Sequence, residues 1–216
     1  MMTSPTSEQF ARRGELFGLP ARPLCRYAVE SIDDRRLIQE CLKGRSAAYG
    51  ELVRRYQDRL FNTVYRLVDN ADDANDVVQE AFISAYQSLE SFKGDAQFFT
   101  WLYRIAMNAA ISLKRKRKVA LSIETGSKGD LSIDPIDETA FNQPGDLIEQ
   151  QEQEAQLKEA LNKLSPEHKA VLILKDIEGQ KYEVIAEILQ VPIGTIRSRL
   201  HRARMELREL MQKEEQ

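Results

Sequence analysis

The segment from Phe92 to Lys118, FKGDAQFFTWLYRIAMNAAISLKRKRK, constrains this chain more than any other. A polar loop, Lys93-Gly94-Asp95-Ala96-Gln97, runs into the aromatics Phe98, Phe99, Trp101 and Tyr103 and ends in an unbroken basic run, Lys114 to Lys118. At about 3.6 residues per turn, Phe98, Leu102, Ile105 and Ala109 share one helical face. Thr100, Arg104, Asn108 and Ser112, spaced four apart, line another. Two readings stay open. Rings and cations together suit single-stranded nucleic acid, whose bases stack while its phosphates are held. The same rings would equally well pack a core, leaving the basic end in water.

The rest of the chain also reads as helix. With ten glycines and seven prolines in 216 residues, helix breakers are few, and 42% hydrophobic with 30% charged residues suits a globular chain. Residues 1–31 lack sustained periodicity and read as a mobile extension. Asp33-Asp34 suit a helix start, Leu37, Ile38, Cys41 and Leu42 form a short stripe, and Gly44 suits a stop. A helix from Ser46 to about Val68 carries Leu52, Tyr56, Leu60, Val64 and Leu67. Another, opened by Asp72 and Asp73, puts Val78, Phe82, Ala85 and Leu89 inside and Asp76, Gln79, Glu80 and Ile83 outside. That outer face is either solvated or a docking surface. Residues 32–118 thus form a three- or four-helix bundle. Residues 119–146, broken by Gly126, Gly129, Pro135, Pro144 and Gly145, read as a flexible acidic linker and a domain boundary. The fold class is all-α, with two helical domains.

Residues 147–213 form the second domain. Ser165-Pro166 reads as an N-cap followed by a first helical residue, and Gly179 as a stop. A short helix over Lys181–Leu189, the turn Gln190-Val191-Pro192 and a basic helix from Ile193 describe a helix-turn-helix. Ile196, Leu200, Ala203, Leu207 and Leu210 share one face of that last helix. Gly194, Ser198, His201, Arg202 and Met205 lie opposite, flanked by Arg197 and Arg208. Small, hydroxyl-bearing and cationic side chains in that order suit a helix entering a DNA major groove. Arg199 and Arg204 sit at the margins, where phosphate contacts are expected.

Other classes find little support. The net charge of −3 does not announce a nucleic-acid partner; segregated charge does. Cys25 and Cys41 lack metal-ligand or disulfide spacing, and with only His168 and His201 beside them no metal or cofactor site is expected. No HExxH, glycine-rich phosphate loop or nucleophile elbow is present, so no enzyme is expected. No apolar run reaches the roughly 18 residues of a membrane span, and the start lacks a signal peptide's apolar core; a cytoplasmic protein without membrane insertion is expected.

Three blocks resemble region two of a bacterial sigma factor: Asp76-Val77-Val78-Gln79-Glu80-Ala81-Phe82, Phe92-Lys93-Gly94-Asp95 and Phe99 to Asn108. Leu164-Ser165-Pro166, Glu178-Gly179, Tyr182 to Ala186 and Pro192 to Arg204 resemble region four. Both regions without the intervening ones are similar to the extracytoplasmic-function group, over about residues 33–213.

The resemblance implies a promoter-specificity subunit that binds core RNA polymerase and reads promoter DNA, with an anti-sigma factor as a further candidate partner. It implies polymerase binding at Asp76, Gln79 and Glu80. It implies minus-ten recognition and melting at Phe92, Lys93, Gly94, Asp95, Ala96, Arg104, Asn108, Lys114 and Arg115, with a non-template base flipped beside the loop. It implies minus-thirty-five reading at Thr195, Arg197, Ser198, His201 and Arg202, where His201 replaces a frequent aromatic. The alternative is a stand-alone helix-turn-helix regulator whose first bundle binds a signal or dimerises.

Overall fold

The structure, a computed structural model, describes residues 27–124 and 146–214, and among these every regular element is helical. The expectations for residues 1–26 and 125–145 fall outside the described residues. Helix α1 spans Tyr27–Leu42, α2 Ser46–Val68, α3 Ala71–Gln87 and α4 Phe98–Glu124. After the gap come α5 (Asp146–Lys163) and α6 (Pro166–Leu172), the latter continuing into a π turn over Ile173–Ile177. Helices α7 (Tyr182–Leu189) and α8 (Ile193–Glu214) complete the chain.

Local chemistry explains the boundaries. At Gly44, φ 90°, the Arg45 N–H reaches the Glu40 carbonyl and the Gly44 N–H reaches Cys41, the bond pair that closes a helix through a left-handed residue. Asp69 ends α2 at φ 59°, and Asn70 begins α3 by accepting the Asp73 N–H at 2.9 Å. Ser165 caps α6 by accepting the His168 N–H, with Pro166 in the first turn, as the sequence predicts.

Two starting and stopping points differ from expectation. Asp33-Asp34 does not begin the first helix. Asp34 lies within α1, 4% exposed, ion-paired with Arg55 at 2.6 Å and accepting the Tyr56 hydroxyl at 2.5 Å. Helix α4 continues past Lys118 to Glu124, because nothing before Gly126 opposes helix.

Leu52, Leu60, Val64 and Leu67 of α2 meet Val77, Val78 and Phe82 of α3 and Phe98, Leu102, Tyr103 and Met107 of α4 in the first unit's core. Each fully buried Leu or Ile there contributes roughly 1.5–3 kcal/mol. In the second unit, Leu164, Val171 and Leu174 pack with Ile185, Ile188, Ile196, Leu200 and Ala203. The two cores are continuous: α4 packs on α6 and α7, and α2 touches the π turn.

Candidate nucleic-acid interface

The four rings that open α4 are core. Phe98, Phe99, Trp101 and Tyr103 are all buried, Tyr103 completely. They also hold the preceding loop: Phe92 sits 6.0 Å from Phe98 and 5.0 Å from Trp101, centroid to centroid. With Phe92 pinned, the chain turns through Gly94 at φ 77°, a backbone state that favours glycine. A pocket of about 90 Å³, open to solvent, lies beside this loop. Phe92, Gly94, Asp95 and Ala96 line it, with Gln97, Phe98 and, from α1, Asp34, Arg35 and Ile38. Lys93 is exposed at its edge but does not line it. The α1 wall was invisible in sequence, since no periodicity announces which side of a distant helix meets a loop.

Along α4, Thr100 is buried rather than part of a polar face, while Arg104 and Asn108 are half-buried and Ser112 is exposed. In the basic run, burial lowers the affinity of Lys114 for its proton, with Asp69 opposing and Arg117 reinforcing the effect. Arg115 donates through Nε to Glu167 of α6 at 2.9 Å, and Arg117 pairs with Asp73. Burial alone would raise the Glu167 carboxyl; the hydrogen bonds from Arg115 and the backbone, with Arg115 and Arg199 charge, outweigh it and leave it below the usual carboxylate range. Lys116 and Lys118 are exposed.

The outer face of α3 presents Asp76, Gln79 and Glu80, all exposed. Beside them Ile83 and Tyr86 are each 49% exposed. Tyr86 packs edge-on against Tyr49 at 4.8 Å, and the Tyr49 hydroxyl donates to the Phe82 carbonyl at 2.5 Å. The face is therefore acidic with an apolar seam, a composition suited to a partner. Tyr86 and Tyr49 were not anticipated there.

On α8, Ile196, Leu200, Ala203 and Leu207 are buried and Arg197, Ser198, His201 and Arg202 exposed, as the periodicity requires; Thr195 is half-buried. Arg204 is not poised for phosphate: it forks onto Asp176 at 3.1 and 2.5 Å. His168 of α6 meets Glu206 at 2.8 Å. These two contacts, with the apolar stripe, fix the rotation of the helix and hence which side chains point outward.

A helix-turn-helix with an arginine-rich outer face, in one chain with a pocketed loop and a basic helix, defines a DNA-binding protein. Sigma-70 region 2 matches residues 52–119, and sigma-70 region 4 matches residues 154–207. The RNA polymerase sigma-H factor of Pseudomonas aeruginosa is 36% identical over 178 residues, covering 79% of this chain and 90% of that protein. The ECF RNA polymerase sigma-E factor of Escherichia coli is 38% identical over 184 residues, covering 81% and 92%. Among solved structures, the sigma factor RpoE from Bartonella quintana, in complex with the anti-sigma factor NepR, aligns with TM-score 0.56 and 28% identity over 76% of this chain and 96% of that one. The chain belongs to the extracytoplasmic-function group of sigma factors. It binds core RNA polymerase and directs promoter-specific initiation, and the stand-alone regulator is not favoured.

Proposed function

We propose that residues 32–118 and 147–213 divide the work, with 119–146 joining them in the cytoplasm, and that the chain performs no chemistry of its own. The acidic face of Asp76, Gln79 and Glu80, with Ile83 and Tyr86, docks on core polymerase. Phe92, Gly94, Asp95 and Ala96 receive a base flipped out of the minus-ten duplex, with Lys93 at the rim and Arg104 and Asn108 reading beside it. Lys114 and Arg115 hold adjacent phosphates. Arg197, Ser198, His201 and Arg202 read the minus-thirty-five major groove, and Thr195 supports Ser198, whose hydroxyl donates to the Thr195 carbonyl at 3.0 Å. An anti-sigma factor is a further partner, in line with the complex in which the Bartonella relative was solved.

The pocket beside Gly94 carries this reading. Flipping a base costs a few kcal/mol of stacking, which only a prepared receptacle can offset; a protein reading duplex alone has no use for one. Co-purification with core polymerase, then transcription from a randomised promoter library, tests it. Selective initiation is expected. Duplex binding without core binding would restore the stand-alone regulator.

A further inference from the structure

Glu178 occupies an unfavourable place for a carboxylate. The π turn before it delivers its N–H to the Ile173 carbonyl at 2.9 Å, and Gly179 follows at φ 67°. The side chain therefore stands at the negative end of a helix dipole. Its compensation comes from the other unit. Arg59 of α2 donates through Nε to one oxygen at 3.1 Å; the Thr63 hydroxyl, shared with the Arg59 carbonyl at 2.9 Å, lies 3.1 Å from the other, and Arg66 lies 3.5 Å from it. The Thr63 hydroxyl is also 3.3 Å from that of Tyr103 on α4. The Glu178 side chain is only 10% exposed.

Two lesser contacts flank this one. Asp69 accepts from Asn162 at 2.5 Å and lies 3.3 Å from Lys158, both on α5. Glu167 engages Arg115, whose side chain is 66% exposed. An exposed pair of that kind is weak and screened; the enclosed carboxylate with two guanidinium groups is the stronger fastening.

We infer that Glu178 bolts the two units into a closed state in which Glu167 takes the place of promoter phosphate on Arg115. This rests on the reading of Lys114 and Arg115 as phosphate contacts. The closed state leaves Arg197, Ser198, His201 and Arg202 exposed, so it engages Arg115 without covering the recognition helix. Removing the Glu178 charge deletes the carboxylate through which Arg59 and Arg66 of one unit hold the other, which favours opening.

The test uses the full chain as wild type and Glu178→Gln, with far-ultraviolet circular dichroism to establish equal helix content. Small-angle scattering should show a larger radius of gyration for the variant. A short fluorescent single strand should bind it roughly three- to tenfold more tightly, as the competent fraction rises. If Glu178→Gln loses helix, Arg66→Gln probes the same contact from α2 with the same expectations. An unchanged radius overturns the bolt, and an increased radius with unchanged DNA affinity overturns the competition for Arg115. Absence of strand binding in every chain would instead overturn the phosphate reading of α4, and the competition with it; scattering then still judges the closed contact.

Discussion

Arg204 and Asp176 meet in a two-bond fork at 2.5 and 3.1 Å that ties the recognition helix to the π turn beneath it. The arginine's affinity for its proton is raised, chiefly by the hydrogen bond to Asp176, with burial opposing and the Asp176 charge assisting. One of the arginines of α8 is therefore architecture, and its neighbour two residues earlier faces outward.

The two arginines should separate cleanly. Arg204→Ala is expected to cost about 1 kcal/mol of stability, a modest figure because the pair is partly solvated. Arg202→Ala should leave stability unchanged, weaken promoter duplex binding roughly tenfold and relax base preference. Denaturant midpoints and competitive duplex binding measure the two effects. Equal losses on promoter and random DNA would count against base reading by Arg202.

Asp34 joins α1 to α2 through Arg55 and Tyr56 and also lines the pocket. Asp34→Ala removes the largely enclosed carboxylate that Arg55 and Tyr56 share, so a loss of about 3 kcal/mol is expected. Tyr56→Phe removes one hydrogen bond and should cost about 1 kcal/mol. Thermal or urea unfolding checks both, and an Asp34→Ala chain as stable as wild type would refute this account of the α1–α2 junction.

On α3, Asp76→Ala combined with Gln79→Ala should impair assembly with core polymerase, while duplex affinity of the full chain for promoter DNA stays unchanged. Neither side chain packs in the core, so folding should also be unaffected. Ile83→Asp tests the apolar seam by adding charge at an exposed site. Pull-down with core polymerase reads both variants; undiminished assembly in each places docking elsewhere.

Lys169, 4% exposed, donates to Asn162 at 2.6 Å beside Lys114, Lys158 and Asp69. Burial, helped by Lys114 and Lys158 against Asp69, lowers its pKa from 10.5 to about 7. Between those values the unfolded chain holds a proton that the folded chain lacks, so stability from this group rises with pH across that window. Below it both forms are charged and the cost is constant. Lys169→Met should flatten the rise and stabilise the chain at neutral pH by on the order of 1 kcal/mol. Urea midpoints at about pH 6.5 and about pH 9 decide; parallel slopes for both chains would remove Lys169 as the cause.

Periodicity made the outward face of α8 legible, because one apolar stripe through Ile196, Leu200, Ala203 and Leu207 leaves little choice about what points away. It was also enough for Asp76, Gln79 and Glu80. It failed at Thr100, which is buried because the start of α4 is surrounded on several sides rather than one. It could not show that Asp34 and Arg35 face the loop, or that Arg204 is drawn to Asp176, since both depend on how separate helices are placed. The role of the rings was ambiguous for a related reason: aromatic residues satisfy a core or a stack of bases equally well until burial distinguishes them. The contacts of Glu178 with Arg59 and Thr63 span more than a hundred positions of sequence, and no local pattern announces them.

The pinning of Phe92 by Phe98 and Trp101 has a consequence for how the loop can vary. Because those rings hold the loop from below, residues at its rim such as Lys93, Asp95 and Gln97 are exposed and can change without opening the core. Substitution at these positions therefore changes the loop's chemistry one side chain at a time, whereas loss of a supporting ring disturbs the core itself. On the proposed reading of the loop, promoter preference and fold integrity can vary separately.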